Sequence, residues 1–154
     1  MTWDDFWTLI GLLGDQCECA FAEPLAEALG GLPPTAITGF EERLAEALYR
    51  LDRREFGTLP VIDMCEPGKE PFPQSADSFL YSRCAVVAAG RSTYEAVLAG
   101  RTPFGPYSAT TLHGEALLYL AEEAYEEVTG EEWDHISGFG YESCSNADGR
   151  PGRE

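Results

Sequence analysis

Basic residues are scarce in this chain. Ten Lys and Arg stand against 27 Asp and Glu, the net charge is −17, and Lys69 is the single lysine. A surface dominated by carboxylates repels phosphate backbones and anionic headgroups, so neither nucleic acid nor a membrane is expected as a partner. Long apolar runs are also missing; none approaches the roughly 18 residues needed to span a bilayer. The opening stretch MTWDDFWTLIGLLG carries Asp4 and Asp5 where an export signal carries bases, which points to a cytoplasmic location. Histidine is limited to His113 and His135, and the five cysteines, Cys17, Cys19, Cys65, Cys84 and Cys144, follow no regular framework. Reduced thiols are expected. Zinc wants four closely spaced ligands. Cys17 and Cys19 do not have the usual spacing, and only a folded-back tail would add Cys144 and His135. There is no Glu-x-x-His pair, phosphate-cradling glycine loop, nucleophile elbow or metalloprotease helix. No metal or cofactor is expected, and the reading leans away from an enzyme.

What is present is enough for one globular unit. The 154 residues fit one domain, and 44% hydrophobic content separates the chain from disordered sequences. Period-2 alternation is not sustained anywhere, whereas helical spacing recurs. Trp3, Phe6, Trp7, Ile10 and Leu13 define a first helix over 3–13, with Thr2 and Asp5 set as a capping box. A second, short helix starts near residue 23 because Pro24 fits only in a first turn, and Gly30-Gly31 closes it. In the third, Thr35 is a candidate N-cap. Ile37, Phe40, Leu44, Ala47, Leu48 and Leu51 form one stripe, Glu46 and Arg50 an i,i+4 pair, and Arg50, Arg53 and Arg54 a basic cluster at its end. The run EPGKEPFPQS is a loop. SADSFLYSRCAVVAAGRSTYEAVL, residues 75–98, is capped by Ser75 or Asp77 and breaks near Gly90. After a loop over 100–112, GEALLYLAEEAYEEVTG ends on Gly130 as a C-terminal glycine. The expected fold is therefore mainly α: a single-domain bundle of about five to six short helices over 1–130, with a Pro-rich loop over 66–74. An irregular, poorly ordered acidic tail over 131–154 is expected to follow.

Two features invite a function. At 100° per residue, Arg83 falls about 40° from Phe79, inside the apolar arc of its helix. A buried guanidinium needs an acid or several carbonyls to meet it. Asp77, Glu95 or an acid from another helix could do so. The structural reading is an anchor tying two helices together. The functional one is a fork gripping an anionic ligand, with Asp77, Tyr81, Tyr94 and Glu95 beside Arg83. The second feature is the acid-rich face of the last helix. Glu115, Glu122, Glu123, Glu126 and Glu127 share it with Tyr119, opposite Leu117, Ala121, Ala124, Tyr125 and Val128. Glu122–Glu126 and Glu123–Glu127 are like-charge i,i+4 pairs that cost stability. A solvated face tolerates that cost, and a basic partner would relieve it.

WDDFWTLI, ADSFLYSRCAVVAAGRSTYEAVL and EALLYLAEEAYEEVTG together resemble the bacterial domain of unknown function 4240. The likeness rests on Phe6-Trp7, on Asp77, Phe79, Tyr81 and Arg83, on Gly90, Tyr94, Glu95 and Leu98, and on Ala124, Tyr125, Glu126, Thr129 and Gly130. It implies a small, mostly helical domain without an assigned activity. The Gly-containing turn that leads into the Asp-bearing helix in that family is replaced here by Cys65 and the Pro-rich insert. The expected function is an acidic interaction or regulatory module with a basic protein partner. The alternative is a small enzyme or receptor for an anionic ligand centred on Arg83. A homo-oligomer burying its Trp and Phe positions is a third possibility.

Overall fold

The computed structural model describes residues 1–14, 22–64, 67–110 and 114–149. Among them are seven α-helices: α1 (Trp3–Ile10), α2 (Glu23–Gly30), α3 (Pro34–Leu51), α4 (Arg54–Gly57), α5 (Ala76–Ala88), α6 (Arg91–Leu98) and α7 (Leu120–Thr129). The described residues contain no strand; Pro60 and Pro73 form an isolated antiparallel bridge that ties the Pro-rich loop back to the segment before it. The fold is the all-α bundle expected, and among the described residues no helix is long and apolar enough to cross a membrane.

Local chemistry sets the helix ends. The Thr2 hydroxyl accepts from the Asp5 amide at 3.1 Å while the Asp5 carboxylate accepts from the Thr2 amide at 3.1 Å, so the capping box is formed. Helix α1 stops at Ile10 and tightens into a 3₁₀ turn over Gly11–Leu13. Helix α3 begins one residue before the expected cap: Pro33 is the N-cap and Pro34 the first helical residue. Proline has no amide hydrogen to leave unpaired there, and its φ suits the first turn. The Ser75 hydroxyl caps α5 by accepting from the Ser78 amide at 3.1 Å. Helices α5 and α6 are separated by Ala89 and Gly90, whose φ of 92° only glycine adopts without strain. The last helix opens as a 3₁₀ turn, Glu115–Leu118, before α7 proper, and stops at Gly130 with φ 70°.

Helix α3 is the axis of the bundle, packed by α1, α5 and α7, with α2 lying on α7. Ile37, Phe40, Leu44, Leu48 and Leu51 are fully buried, as are Phe6, Leu25 and Leu29 facing them. Each such side chain stabilises the fold by about 1.5–3 kcal/mol. Helix α5 is not two-faced: every residue from Phe79 to Val87 is buried except Tyr81, which is half-buried. A helix enclosed on most sides has to deal with its polar residues individually. On α7, Leu120 is buried with Leu117, Ala121 and Ala124, while Val128, expected on the inner face, is exposed.

Composition predicts a poorly ordered tail from residue 131. In the structure, residues 131–149 run along α3 and are held by its polar residues. Glu42 accepts from the Gly138 amide at 3.1 Å and meets the His135 ring at 2.8 Å. Buried Asp52 accepts from the Asn146 amide at 3.0 Å. Phe139 packs on Tyr49 and Trp133 on Tyr125. The hydrogen-bonding groups that hold this segment lie 93 to 97 positions upstream in sequence, so local composition does not register them.

Candidate functional site

Arg83 is completely buried. Its Nη1 donates to the Leu48 carbonyl at 3.0 Å and its Nη2 to the Ser143 hydroxyl at 3.1 Å; Ser143 in turn donates to the Ala76 carbonyl at 2.7 Å. The guanidinium lies 4.8 Å over the Phe79 ring. Leu48 belongs to the last turn of α3, whose carbonyls have no partner within the helix. Asn146 serves the next one, donating to the Tyr49 carbonyl at 2.9 Å. Arg83 is therefore the inward-pointing residue its spacing predicts, and it acts as a cationic cap on the negative end of α3.

The other residues grouped with Arg83 do not converge on it. Asp77 is exposed on the first turn of α5. Tyr94 is buried on α6, where its hydroxyl donates to the Ala47 carbonyl at 3.3 Å and its ring packs on Trp7. Burial pushes that phenol well above its usual range. Glu95 is exposed and pairs with Arg91, which also reaches Asp4. Tyr81 alone faces a cavity. The basic cluster is equally committed: Arg50 pairs with Glu46, and Arg53 donates to the Leu98 carbonyl at 3.1 Å and meets Glu55 at 3.6 Å. These arginines line a shallow depression with Asn146 and Asp148.

The cavity beside Tyr81 has a volume of about 250 Å³. Four hydroxyls line it, those of Ser78, Ser82, Ser108 and Thr110, together with Tyr81 and Glu115. It is placed by a close approach. A Cβ at Gly114 would lie 2.5 Å from the Ala85 amide nitrogen, so only glycine lets the Glu115–Leu118 turn settle on α5. Partial burial, then the nearby Glu115 carboxylate, pushes the Tyr81 phenol up. Ser108 and Thr110 come from the loop over 100–112 and have no sequence signal linking them to Ser78 and Ser82.

The acidic face of α7 is exposed as expected: Glu115, Tyr119, Glu122, Glu123, Glu126 and Glu127 all point outward. Glu126 accepts from the Trp133 amide at 3.0 Å. Glu122, Glu123 and Glu127 make no ion pair among the described residues. Beneath this face lies Glu41 of α3, 6% exposed. Burial first, then the charges of Glu42 and Glu122, push its pKa up to about 7. Burial likewise pushes the Cys84 thiol up to about 12. It is then a neutral core group rather than a nucleophile. Cys17, Cys19, Cys65 and His113 lie outside the described residues; within these, no group of His, Cys, Asp and Glu could hold a metal ion.

Residues 1–127 match the family model described as Protein of unknown function (DUF4240). No curated protein and no solved structure matches the chain. The chain belongs to the DUF4240 family.

Proposed function

From membership of a family without an assigned activity, we propose that this protein is an interaction module that docks a basic protein on the α7 face. The observation that carries the reading is the uncompensated row of Glu122, Glu123 and Glu127 on an exposed helix. Their like-charge spacing costs the free protein stability, and a cationic partner would reverse the sign of that term. Tyr119, at the start of α7, and Val128, near its end, are exposed at 47% and 41% and supply apolar contact area beside the charged row. The −17 net charge draws a basic partner in from a distance, in a salt-dependent way.

The anionic-receptor reading loses its centre, because Arg83 is occupied by core carbonyl and hydroxyl groups and does not line the cavity beside Tyr81. The test is affinity capture from native lysate by the wild-type chain and by the triple variant Glu122→Gln, Glu123→Gln, Glu127→Gln. A basic protein held by the wild type at low salt, released at high salt and lost by the folded variant supports the proposal. Equal retention by the variant, or no retention at low salt, overturns it.

A further inference from the structure

The cavity beside Tyr81 differs from the rest of the surface in the direction of its hydrogen bonds. The Ser108 hydroxyl lies 2.6 Å from the Pro60 carbonyl and that of Ser78 lies 3.1 Å from the Ser75 carbonyl. A carbonyl only accepts, so both hydroxyl hydrogens are committed. Ser82 faces the Ser78 carbonyl at 2.8 Å and the Gln74 side-chain oxygen at 2.9 Å. The Gln74 amide cannot be turned the other way, because its nitrogen donates to the Phe56 and Leu59 carbonyls. Thr110 gives its hydrogen to Asp63 at 2.6 Å. The Tyr119 hydroxyl reaches the Glu115 carboxylate at 3.4 Å. Every serine and threonine hydroxyl of the wall thus donates into the protein. What remains to face the cavity is oxygen lone pairs, the Tyr81 phenol and one carboxylate, and among the described residues no basic side chain lines the space.

A wall of acceptors fits a donor. We propose that this cavity seats one ammonium or guanidinium group, a side chain of the basic partner, with Glu115 as its counter-ion and the serine oxygens as its hydrogen-bond acceptors. Size selects a side chain over a cofactor: about 250 Å³ falls below the roughly 300–1,000 Å³ of small-molecule sites. Val61 and Ala109, also in the wall, offer apolar surface to the methylene stem of such a residue. Position agrees as well, since Glu115 belongs both to the cavity wall and to the acidic face. The inference rests on the proposed docking of a basic partner, but the cavity's own chemistry can be measured without one.

The experiment is an amide-resolved NMR titration of the full chain with N-acetyl-lysine methylamide, and in parallel with the uncharged N-acetyl-norleucine methylamide. The lysine compound is expected to shift the amides of Ser78, Ser82, Ser108 and Glu115 saturably. Glu115→Gln, an exposed position that the core does not need, is expected to weaken that binding about tenfold, the loss of one charge-assisted contact. Norleucine shifting the same amides equally, lysine shifts that do not saturate, or an unchanged affinity in Glu115→Gln would each overturn the assignment. Saturation by lysine together with a failed capture on the α7 face leaves the cavity assigned to a free amine and removes the protein partner. Capture through α7 without lysine saturation removes the cavity and leaves the face.

Discussion

Arg83 and Glu41 are both charged residues buried in this bundle, and the core treats them differently. Arg83 on α5 is surrounded by acceptors: a helix-end carbonyl, a hydroxyl and an aromatic face. Glu41 on α3 has no hydrogen bond to its carboxylate among the described residues, and it faces the acids Glu42 and Glu122. A buried charge persists when its hydrogen-bonding capacity is matched, and otherwise the group takes up or releases a proton. Arg83 cannot give up its proton in any accessible range, so the fold has to supply partners for it. Glu41 can gain one, and its raised pKa shows that it does so near neutrality.

Removing Arg83 should have the largest effect on this contrast. Arg83→Ala leaves the Leu48 carbonyl and Ser143 without their donor and opens space beside Phe79, which should cost about 3–5 kcal/mol in denaturant unfolding. A loss below about 1 kcal/mol would mean the guanidinium is not the cap on α3. Next comes pH. The Glu41 pKa lies at about 7 in the fold against 4.5 for the free side chain. The unfolded chain therefore releases this proton first. The stability the group contributes is complete below about pH 4.5, is lost as pH rises to about 7, and is flat above. The loss is at most about 3 kcal/mol, because one pKa unit is worth 1.36 kcal/mol. Glu41→Gln should flatten that part of the profile and raise stability at pH 8; an unchanged profile would place the sensitive group elsewhere. Ser143→Ala should cost about 1–2 kcal/mol, the loss of one hydrogen bond to a buried charge, measured by the same unfolding curves. The smallest effect belongs to Glu122→Gln. Relieving its repulsion with Glu126 and Glu41 should stabilise by a few tenths of a kcal/mol and move the Glu41 titration downward, a shift that carbon-detected NMR would resolve.

Much of the scaffold was legible because it is local. The Thr2–Asp5 box, the Ser75 cap, the break at Gly90 and the stop at Gly130 each depend on residues within four positions of one another. The inward direction of Arg83 and the outward row on α7 follow from helical period alone. What could not be read depends on distance along the chain. The acceptors of Arg83 lie 35 and 60 residues away. The cavity joins Ser78 and Ser82 to Ser108 and Thr110 through a loop whose path no periodicity encodes. Glu41 looks like an ordinary helix-surface acid until α7 lies over it. Thr35 failed as the cap because the proline pair before it starts the helix two residues earlier, with Pro33 as the cap.

The double attachment of Arg83 has a consequence in time. A chain emerging from the ribosome can join the guanidinium to the Leu48 oxygen as soon as α5 is out, but the hydroxyl that completes the arrangement lies 60 residues downstream. The centre of the molecule is thus finished by a segment synthesised well after α5, and until then its nascent form has to persist with that junction half made.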